Sequence, residues 1–184
     1  AIEKAKEINK NTPNSIILDQ FKNKANPMIH YKTTAEEIWS DLNGNINYFI
    51  SGVGTGGTIT GVGKFLKEKS NDIKVIAVEP EDSAVLSGRE SGSHSIQGIG
   101  AGFIPKNLNL KIIDEILPIS NTSAFKFSRE LAKCEGIAGG ISTGAVVAAA
   151  AEVHENKIMK NKCSVIIIPS FAERYLSTEL FNEL

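Results

Sequence analysis

The chain has 184 residues, of which 41% are hydrophobic and 22% charged, a composition typical of a soluble globular domain. Its net charge of −1 argues against nucleic acid or an anionic membrane as the main partner, and no apolar run approaches the roughly 20 residues of a membrane span. The cysteines, Cys134 and Cys163, are far apart, so a disulfide framework is not expected. The three histidines, His30, His94 and His154, are not spaced as metal ligands, and we expect no metal site.

The N-terminal part of the chain predicts little regular structure beyond two helices. Apolar residues at helical spacing predict a helix over residues 1–10, and the apolar run 15–19 predicts a short strand. Residues 20–34 contain Asn, Pro and His and are predicted to form a connecting segment. A hydroxyl cap at Thr34, followed by two acidic residues, predicts a helix that ends at 43–44.

The middle of the chain has the pattern of a strand, a glycine loop and a helix. An apolar run predicts a strand over 46–51, the loop occupies 52–58, and an amphipathic helix follows to about residue 69. Residues 74–78 predict a buried strand. Residues 83–104 are rich in Gly and Ser without periodicity, and we expect a long loop, of a kind that is usually functional or disordered.

The C-terminal part continues the alternation of strands and helices. A short strand is predicted over 115–119 and a helix over 122–134, and the glycine-containing turn 139–144 precedes an alanine-rich helix over 145–157. A continuous apolar strand is predicted over 164–168. Uniformly apolar strands that alternate with helices indicate an α/β fold, with a mostly parallel sheet flanked by helices on both faces.

The glycine loop, Gly-Val-Gly-Thr-Gly-Gly-Thr, predicts a phosphate site, because successive backbone N–H groups at the start of a helix bind phosphate. One interpretation is a dinucleotide site, as in an NAD-dependent oxidoreductase. Gly52, Gly54 and Gly57 satisfy the G-x-G-x-x-G pattern, and Glu79 ends the next strand, where an acidic ribose ligand is expected.

The other interpretation is a site for a single phosphate group. The loop places hydroxyl groups on both sides of a glycine pair, in Thr55-Gly56-Gly57-Thr58. A dinucleotide loop has no need of these threonines, whereas a phosphate dianion must be surrounded by donors. The hydroxyl groups therefore favour a cofactor such as pyridoxal phosphate, anchored through its phosphate.

Several segments together point to one family. They are Gln20-Phe21 with Asn23, Ala25-Asn26-Pro27 and His30; 52–61; Val78-Glu79-Pro80; 96–105; 140–144; and 173–177. Through them, nearly the whole chain resembles the cysteine synthases, or O-acetylserine sulfhydrylases, of the fold-type II pyridoxal-phosphate enzymes. The resemblance implies β-replacement of the acetate of O-acetyl-L-serine by sulfide, which yields L-cysteine, and thus a transferase or lyase of cysteine biosynthesis.

The resemblance also implies roles for particular residues. The cofactor-binding residues would be Gly54, Thr55, Gly56, Gly57 and Thr58 at the phosphate and Ser142 at the pyridine nitrogen, and the substrate-binding residues would be Gln20 and Gly98. Spacing alone favours simpler roles for three of them. Ser142 could be a helix N-cap, Gln20 a polar residue at a strand end, and Gly98 a source of loop flexibility.

The family's catalytic lysine, which forms a Schiff base with the cofactor, lies in a Ser-x-Lys motif, and its substrate-carboxylate loop has a Ser/Thr-Gly-Asn-Thr motif. Neither motif occurs in these 184 residues, so no catalytic residue is assigned. We expect a C-terminal portion of the enzyme that is inactive alone. Residues 1–30 would be a remnant of the smaller mobile domain, and residues 31–184 the large cofactor-binding domain.

The resemblance further implies a homodimer, a cytoplasmic or organellar location, and docking of serine acetyltransferase. In the docking loop, family members usually carry His-Lys where this chain has His94-Ser95, which puts that partner in doubt. Three alternatives to cysteine synthase stay open: a cystathionine β-synthase-like enzyme, an NAD-binding oxidoreductase domain, and a chain that binds a partner without catalysis.

Overall fold

The computed structural model describes residues 2–156 and 161–181. Within them lie six α-helices and four strands. The helices are α1 (Ile2–Asn11), α2 (Ala25–Lys32), α3 (Thr34–Asp41), α4 (Gly57–Lys69), α5 (Asn121–Glu135) and α6 (Ile141–Asn156). The strands are β1 (Tyr48–Gly52), β2 (Lys74–Pro80), β3 (Glu115–Ile119) and β4 (Ser164–Ile166).

The four strands form one sheet in the order β3-β2-β1-β4, and every pair is parallel. Phe49 in β1 pairs with Val75 in β2 on one side and Val165 in β4 on the other. The predicted α/β fold with a parallel sheet is therefore confirmed. All four strands end at the same edge, which is where parallel sheets carry their ligand sites.

Alternate residues of the two central strands serve two separate cores. Phe49 and Val75 face α4, where they pack with Val62 and other apolar residues. Ile50 and Ile76 face the opposite side and pack against α5 and α6. Because both faces are buried, the strands are apolar throughout rather than alternating in polarity.

The largest differences from the sequence prediction lie before residue 35. The predicted strand over 15–19 is wrong: the segment is irregular, and Ile16 and Leu18 are 81% and 74% exposed. The predicted connection 20–34 contains helix α2, which packs on α4 and α3. The division predicted between residues 30 and 31 falls inside α2 and stays a prediction.

Three smaller predictions also need correction. Thr34 does not cap α3 with its side chain; its Oγ1 is instead 3.0 Å from Nδ1 of His30. Helix α6 begins at Ile141 rather than 145, and the predicted end at 157 lies outside the described residues. Strand β4 ends at Ile166 rather than 168. None of the helices in the described ranges is long and apolar enough to cross a membrane.

The close contact between α5 and α6 predicts the effect of substituting Gly144. A Cβ atom on Gly144 would collide with the carbonyl oxygen of Ala124 and lie 2.7 Å from the backbone nitrogen of Ser128. Backbone atoms cannot move aside cheaply, so we expect Gly144→Ala to lower the free energy of unfolding by about 1–3 kcal/mol in urea titrations.

Gly63→Ala in α4 is the matched control for that substitution. Its Cβ would lie 2.9 Å from Cδ1 of Ile112, the end of a flexible side chain, and 3.2 Å from Cγ1 of Val75, and no backbone atom would be in the way. The gain of about 1 kcal/mol in helix propensity should offset this crowding. Equal free energies of unfolding for the two variants would contradict the prediction.

Asp114, which follows the 3-10 turn before β3, predicts a pH-dependent stability. Burial alone would raise the pKa of this carboxyl group, but hydrogen bonds from Lys67 at 2.7 Å and from the Val75 N–H at 2.8 Å outweigh burial and hold it below the ordinary 3.8. Because its pKa is lower in the folded state than in the unfolded state, the ionised Asp114 carboxylate stabilises the fold above pH 3.8. This stabilisation is lost as the pH falls through the folded-state pKa.

We therefore expect Asp114→Asn to lower the free energy of unfolding by about 1–2 kcal/mol at pH 7, and by much less well below pH 3.8. Urea titrations over this pH range measure the difference. Asp72→Asn, at an exposed turn, is the control. A loss that is the same at every pH would show that the charge of Asp114 does not matter.

Candidate cofactor site

The glycine loop lies at the carboxyl edge of the sheet, between the end of β1 at Gly52 and the start of α4 at Gly57. Two backbone hydrogen bonds hold it against its neighbours. The Val53 N–H donates to the Val78 carbonyl, and the Gly100 N–H donates to the Val53 carbonyl, both at 3.0 Å. The predicted order of strand, loop and helix is confirmed, and the long loop after β2 closes over the glycine loop.

Close packing requires that this loop has no side chains at two positions. A Cβ atom on Gly54 would collide with the carbonyl oxygen of Gly98, and one on Gly57 would collide with the side-chain amide of Asn26. Gly56 has φ of +77°, a conformation that favours glycine. The loop therefore exposes backbone rather than side chains beside the start of α4. The first N–H groups of a helix have no intrahelical acceptor.

The hydroxyl group of Thr55 is oriented by two donors. Its Oγ1 accepts hydrogen bonds from Nδ2 of Asn26 at 2.9 Å and from the backbone N–H of Gly57 at 3.3 Å. A hydroxyl oxygen has two lone pairs and one hydrogen. With both lone pairs engaged, Thr55 can offer only its hydrogen to a further partner, which suits an anion.

Thr58 belongs to a chain of hydrogen bonds through His30. Thr58 Oγ1 lies 3.3 Å from Nε2 of His30, and Nδ1 of the same ring lies 3.0 Å from Oγ1 of Thr34. Burial lowers the pKa of His30, so the ring is neutral at pH 7 and one of its nitrogens is an acceptor. His30 is thus a partly buried partner of the loop, with a role that the spacing of the histidines does not indicate.

A cleft of roughly 290 Å³ opens beside the loop. Its lining residues are Gln20, Phe21, Gly54, Thr55, Gly98, Ile99 and Ala101. The structure therefore brings the two predicted substrate-binding residues together with the predicted phosphate loop, although they are 78 positions apart. Gly98 adopts φ of +95°, which leaves its carbonyl against Gly54.

Ser142 lies behind this cleft, in the first turn of α6. It is 1% exposed, and its Oγ donates to Oγ of Ser170 at 2.8 Å. A Cβ atom on Gly98 would lie 3.8 Å from Ser142 Oγ, so the serine adjoins the loop that lines the cleft. Because α6 begins at Ile141, Ser142 is inside the helix and is not its N-cap.

Glu79 has a structural role that removes it from the dinucleotide interpretation. Its carboxylate is 1% exposed and accepts hydrogen bonds from the N–H groups of Leu86 and Ser87, at 2.7 and 2.9 Å, and from Ser87 Oγ at 2.6 Å. The carboxylate therefore fixes the loop after β2 in place, and the dinucleotide interpretation loses its acidic ribose ligand. The described ranges contain no cluster of three or more potential metal ligands.

Two residues of the site carry no assigned role in the sequence analysis. Asn26 belongs to one of the segments shared with the family. An Asn next to a Pro is also common in connecting segments, so its type and position do not indicate a role. Ser170 accepts hydrogen bonds from Ser142 Oγ and from the Thr143 N–H at 3.3 Å, and it follows β4 with no recognisable motif. Only their tertiary contacts connect them with the site.

The donors at the loop fit a phosphate monoester. They comprise backbone N–H groups at the positive end of α4 and the hydroxyl groups of Thr55 and Thr58, with no carboxylate among the residues that line the cleft. The glycine cradle leaves room for the backbone to approach such a group closely. Pyridoxal phosphate carries a phosphate of this kind, and residues 54–58 would hold it.

Comparisons with known proteins agree with this fit. The chain is 53% identical over 191 residues to cysteine synthase of Buchnera aphidicola, covering 99% of this chain and 59% of that protein. The crystal structure of cysteine synthase (OASS) from Entamoeba histolytica is 44% identical with a TM-score of 0.92, over 98% of this chain and 54% of that one. The O-acetylserine dependent cystathionine beta-synthase from Helicobacter pylori is 40% identical with a TM-score of 0.90, over 98% and 58%.

The chain spans about three fifths of the length of the curated cysteine synthases that it matches. The family model described as pyridoxal-phosphate dependent enzyme matches residues 1–170 of this chain. With a parallel α/β fold and this match, the chain belongs to the family of pyridoxal-phosphate dependent enzymes.

Proposed function

We propose that this chain forms the cofactor-binding part of a cysteine synthase, which replaces the acetate of O-acetyl-L-serine by sulfide to produce L-cysteine. The observation that carries the proposal is the cleft in which Gln20 and Gly98 meet the glycine loop. Relatives named cysteine synthase, whose sequences are 53% and 52% identical to this chain over 99% and 100% of its length, support the proposal.

In this proposal, the glycine loop binds the cofactor through its phosphate. Backbone N–H groups of the loop, apart from that of Gly57, which donates to Thr55 Oγ1, surround the phosphate oxygens together with the hydroxyl groups of Thr55 and Thr58. The positive end of α4 stabilises the charge of the phosphate. When bound, pyridoxal phosphate supplies an electron sink for reactions at the carbon atoms of an amino acid. The protein supplies position and electrostatics.

Ser142 would contact the pyridine nitrogen of the cofactor. A neutral hydroxyl group at the N-terminal end of α6 does not favour a protonated nitrogen, because the helix dipole repels positive charge there. An unprotonated ring withdraws electrons less strongly, which favours loss of a β-substituent over transamination. Ser142 Oγ donates to Ser170 Oγ in this structure, so donation to an unprotonated nitrogen would require the Ser142 hydroxyl group to turn and Ser170 to become the donor of their shared hydrogen bond.

Gln20 and Gly98 would bind the substrate. The Gln20 amide can donate to a carboxylate, and the backbone at Gly98 lies close enough to line the same cleft. No lysine is among the residues that line this cleft in the described ranges. We therefore propose that the 184 residues alone do not catalyse the reaction, and that residues 1–30 and 31–184 belong to different domains of the enzyme.

The proposal extends to partners and location. We propose a homodimer in the cytoplasm that binds neither nucleic acid nor membranes, in keeping with a net charge of −1. Docking of serine acetyltransferase would be weak. Ser95 stands in the loop where a lysine is expected, and its N–H donates to the side chain of Asn121 at 2.9 Å.

One observation favours a second candidate function. A solved structure at 40% identity is described as an O-acetylserine dependent cystathionine beta-synthase. This chemistry would share the phosphate loop and the donor substrate but would use homocysteine as the acceptor. The cleft lining of this chain, as described, is compatible with either acceptor.

An assay with two acceptors tests the proposed function. The whole protein that contains this chain is loaded with pyridoxal phosphate and given O-acetylserine with either sulfide or homocysteine. We expect L-cysteine and acetate with sulfide, and a much lower kcat/KM with homocysteine. Preference for homocysteine would establish the second candidate, and no product with either acceptor would contradict both. The 184-residue chain alone should yield no product.

The phosphate site predicts the effect of Thr58→Val. Valine keeps the shape of threonine but cannot donate a hydrogen bond, so we expect the dissociation constant for pyridoxal phosphate to rise about ten- to a hundredfold, a typical loss for one hydrogen bond to a charged group. Equilibrium dialysis measures it. Thr122→Val, at an exposed position in α5, is the matched control. Equal constants for both variants would mean that Thr58 does not contact the phosphate.

A further inference from the structure

Asn26 on α2 contacts both the glycine loop and the segment that carries Gln20. Its Nδ2 lies 2.9 Å from Oγ1 of Thr55, in the glycine loop, and 2.9 Å from the main-chain carbonyl oxygen of Gln20. An amide nitrogen has two hydrogens, and here each has one acceptor. In the described part of the chain, no other side chain donates hydrogen bonds to both of these segments.

At Thr55, this contact decides which way the hydroxyl group donates. Asn26 and the Gly57 N–H together engage both lone pairs of Oγ1. The hydroxyl hydrogen is left for the cleft, which Thr55 lines. Without Asn26, the hydroxyl group could turn and present a lone pair to the cleft, which would repel an anion.

At Gln20, the contact holds the main chain beneath the side chain. The carbonyl oxygen also accepts a hydrogen bond from Nδ2 of Asn107 at 2.8 Å, and the Asn107 N–H donates to the carbonyl of Phe21 at 3.1 Å. Asn107 is 2% exposed, so the packing around it encloses the side chain that makes this contact. Gln20 is thus held by two amides, of which only Asn26 also reaches Thr55.

Asn26 is itself held in place by the packing of α2 on α4. Its side-chain amide occupies the space that a Cβ atom on Gly57 would need. One helical turn later, a Cβ atom on Gly61 would collide with the Pro27 carbonyl and lie 2.8 Å from Cβ of His30. These two glycines allow α2 to lie directly on α4, and so fix the distance from Asn26 to the loop.

We propose that Asn26 is a positioning residue that couples the phosphate-binding hydroxyl group of Thr55 to the substrate-binding residue Gln20. The substrate half of this inference, the positioning of Gln20, rests on the proposed function. The phosphate half, the orientation of the Thr55 hydroxyl group, rests only on membership of the pyridoxal-phosphate dependent family. Asn107 is the contrasting residue, because it positions Gln20 without contact to Thr55.

Two measurements on the whole protein separate these roles: the dissociation constant for pyridoxal phosphate, by equilibrium dialysis, and the KM for O-acetylserine. Asn26→Ala should raise both by about five- to tenfold, the effect of losing one well-placed hydrogen bond at each end. Asn107→Ala should raise the KM and leave the dissociation constant unchanged. Lys32→Ala, at an exposed position of α2, should change neither.

A double-mutant cycle tests the coupling itself. In a Thr55→Val background, Asn26→Ala should have little further effect on cofactor affinity but should still raise the KM. Additive effects on affinity would overturn the proposal, as would a rise in only one of the two constants for Asn26→Ala.

Thermal unfolding serves as the folding control. If the alanine variant unfolds, Asn26→Asp keeps the side-chain volume, removes both donors and should raise both constants; if that variant also unfolds, Asn26 is structural and the proposal fails. A protein that binds pyridoxal phosphate with Asn26-dependent affinity but does not consume O-acetylserine would refute the proposed function and leave the phosphate half of the inference standing.

Discussion

The whole candidate site depends on one steric constraint, the absence of side chains at Gly54 and Gly57. At these positions the Gly98 carbonyl and the Asn26 amide occupy the volume that a Cβ atom would take. A methyl group at either position would push the loop after β2 or helix α2 away from the glycine loop. The cleft exists because three segments of main chain and one amide approach one another this closely.

The parallel sheet explains why such distant residues meet. The strands all end at one edge, and α4 and α6, on opposite faces, both begin there. Each helix therefore presents the positive end of its dipole to the same region. At α4 this end suits a phosphate anion. Under the proposed function, the same end of α6 would disfavour a proton on the cofactor's ring nitrogen near Ser142. One electrostatic feature would then support two different interactions with the same cofactor.

The sequence predicts most of the fold, because the central strands are buried on both faces and carry continuous apolar runs. The segment 15–19 is also apolar, but it has no neighbouring strand in the described sheet and is irregular, so composition alone was misleading there. Helix α2 was missed because Pro27 in its first turn resembles a breaker, although proline is tolerated at that place.

The site is predictable only in part. Glycines and flanking threonines in one loop indicate a phosphate, and local sequence suffices for that. Glu79 stands where a dinucleotide pattern expects it, but its carboxylate binds the N–H groups of Leu86 and Ser87. The contacts of Asn26 and His30 arise from helix packing, which no spacing rule encodes.

The most direct test of the phosphate assignment is a crystal structure of the whole protein grown with pyridoxal phosphate. We predict the phosphate within about 3 Å of the backbone nitrogens of Thr55, Gly56 and Thr58. A phosphate bound elsewhere, with the glycine loop empty, would contradict the assignment.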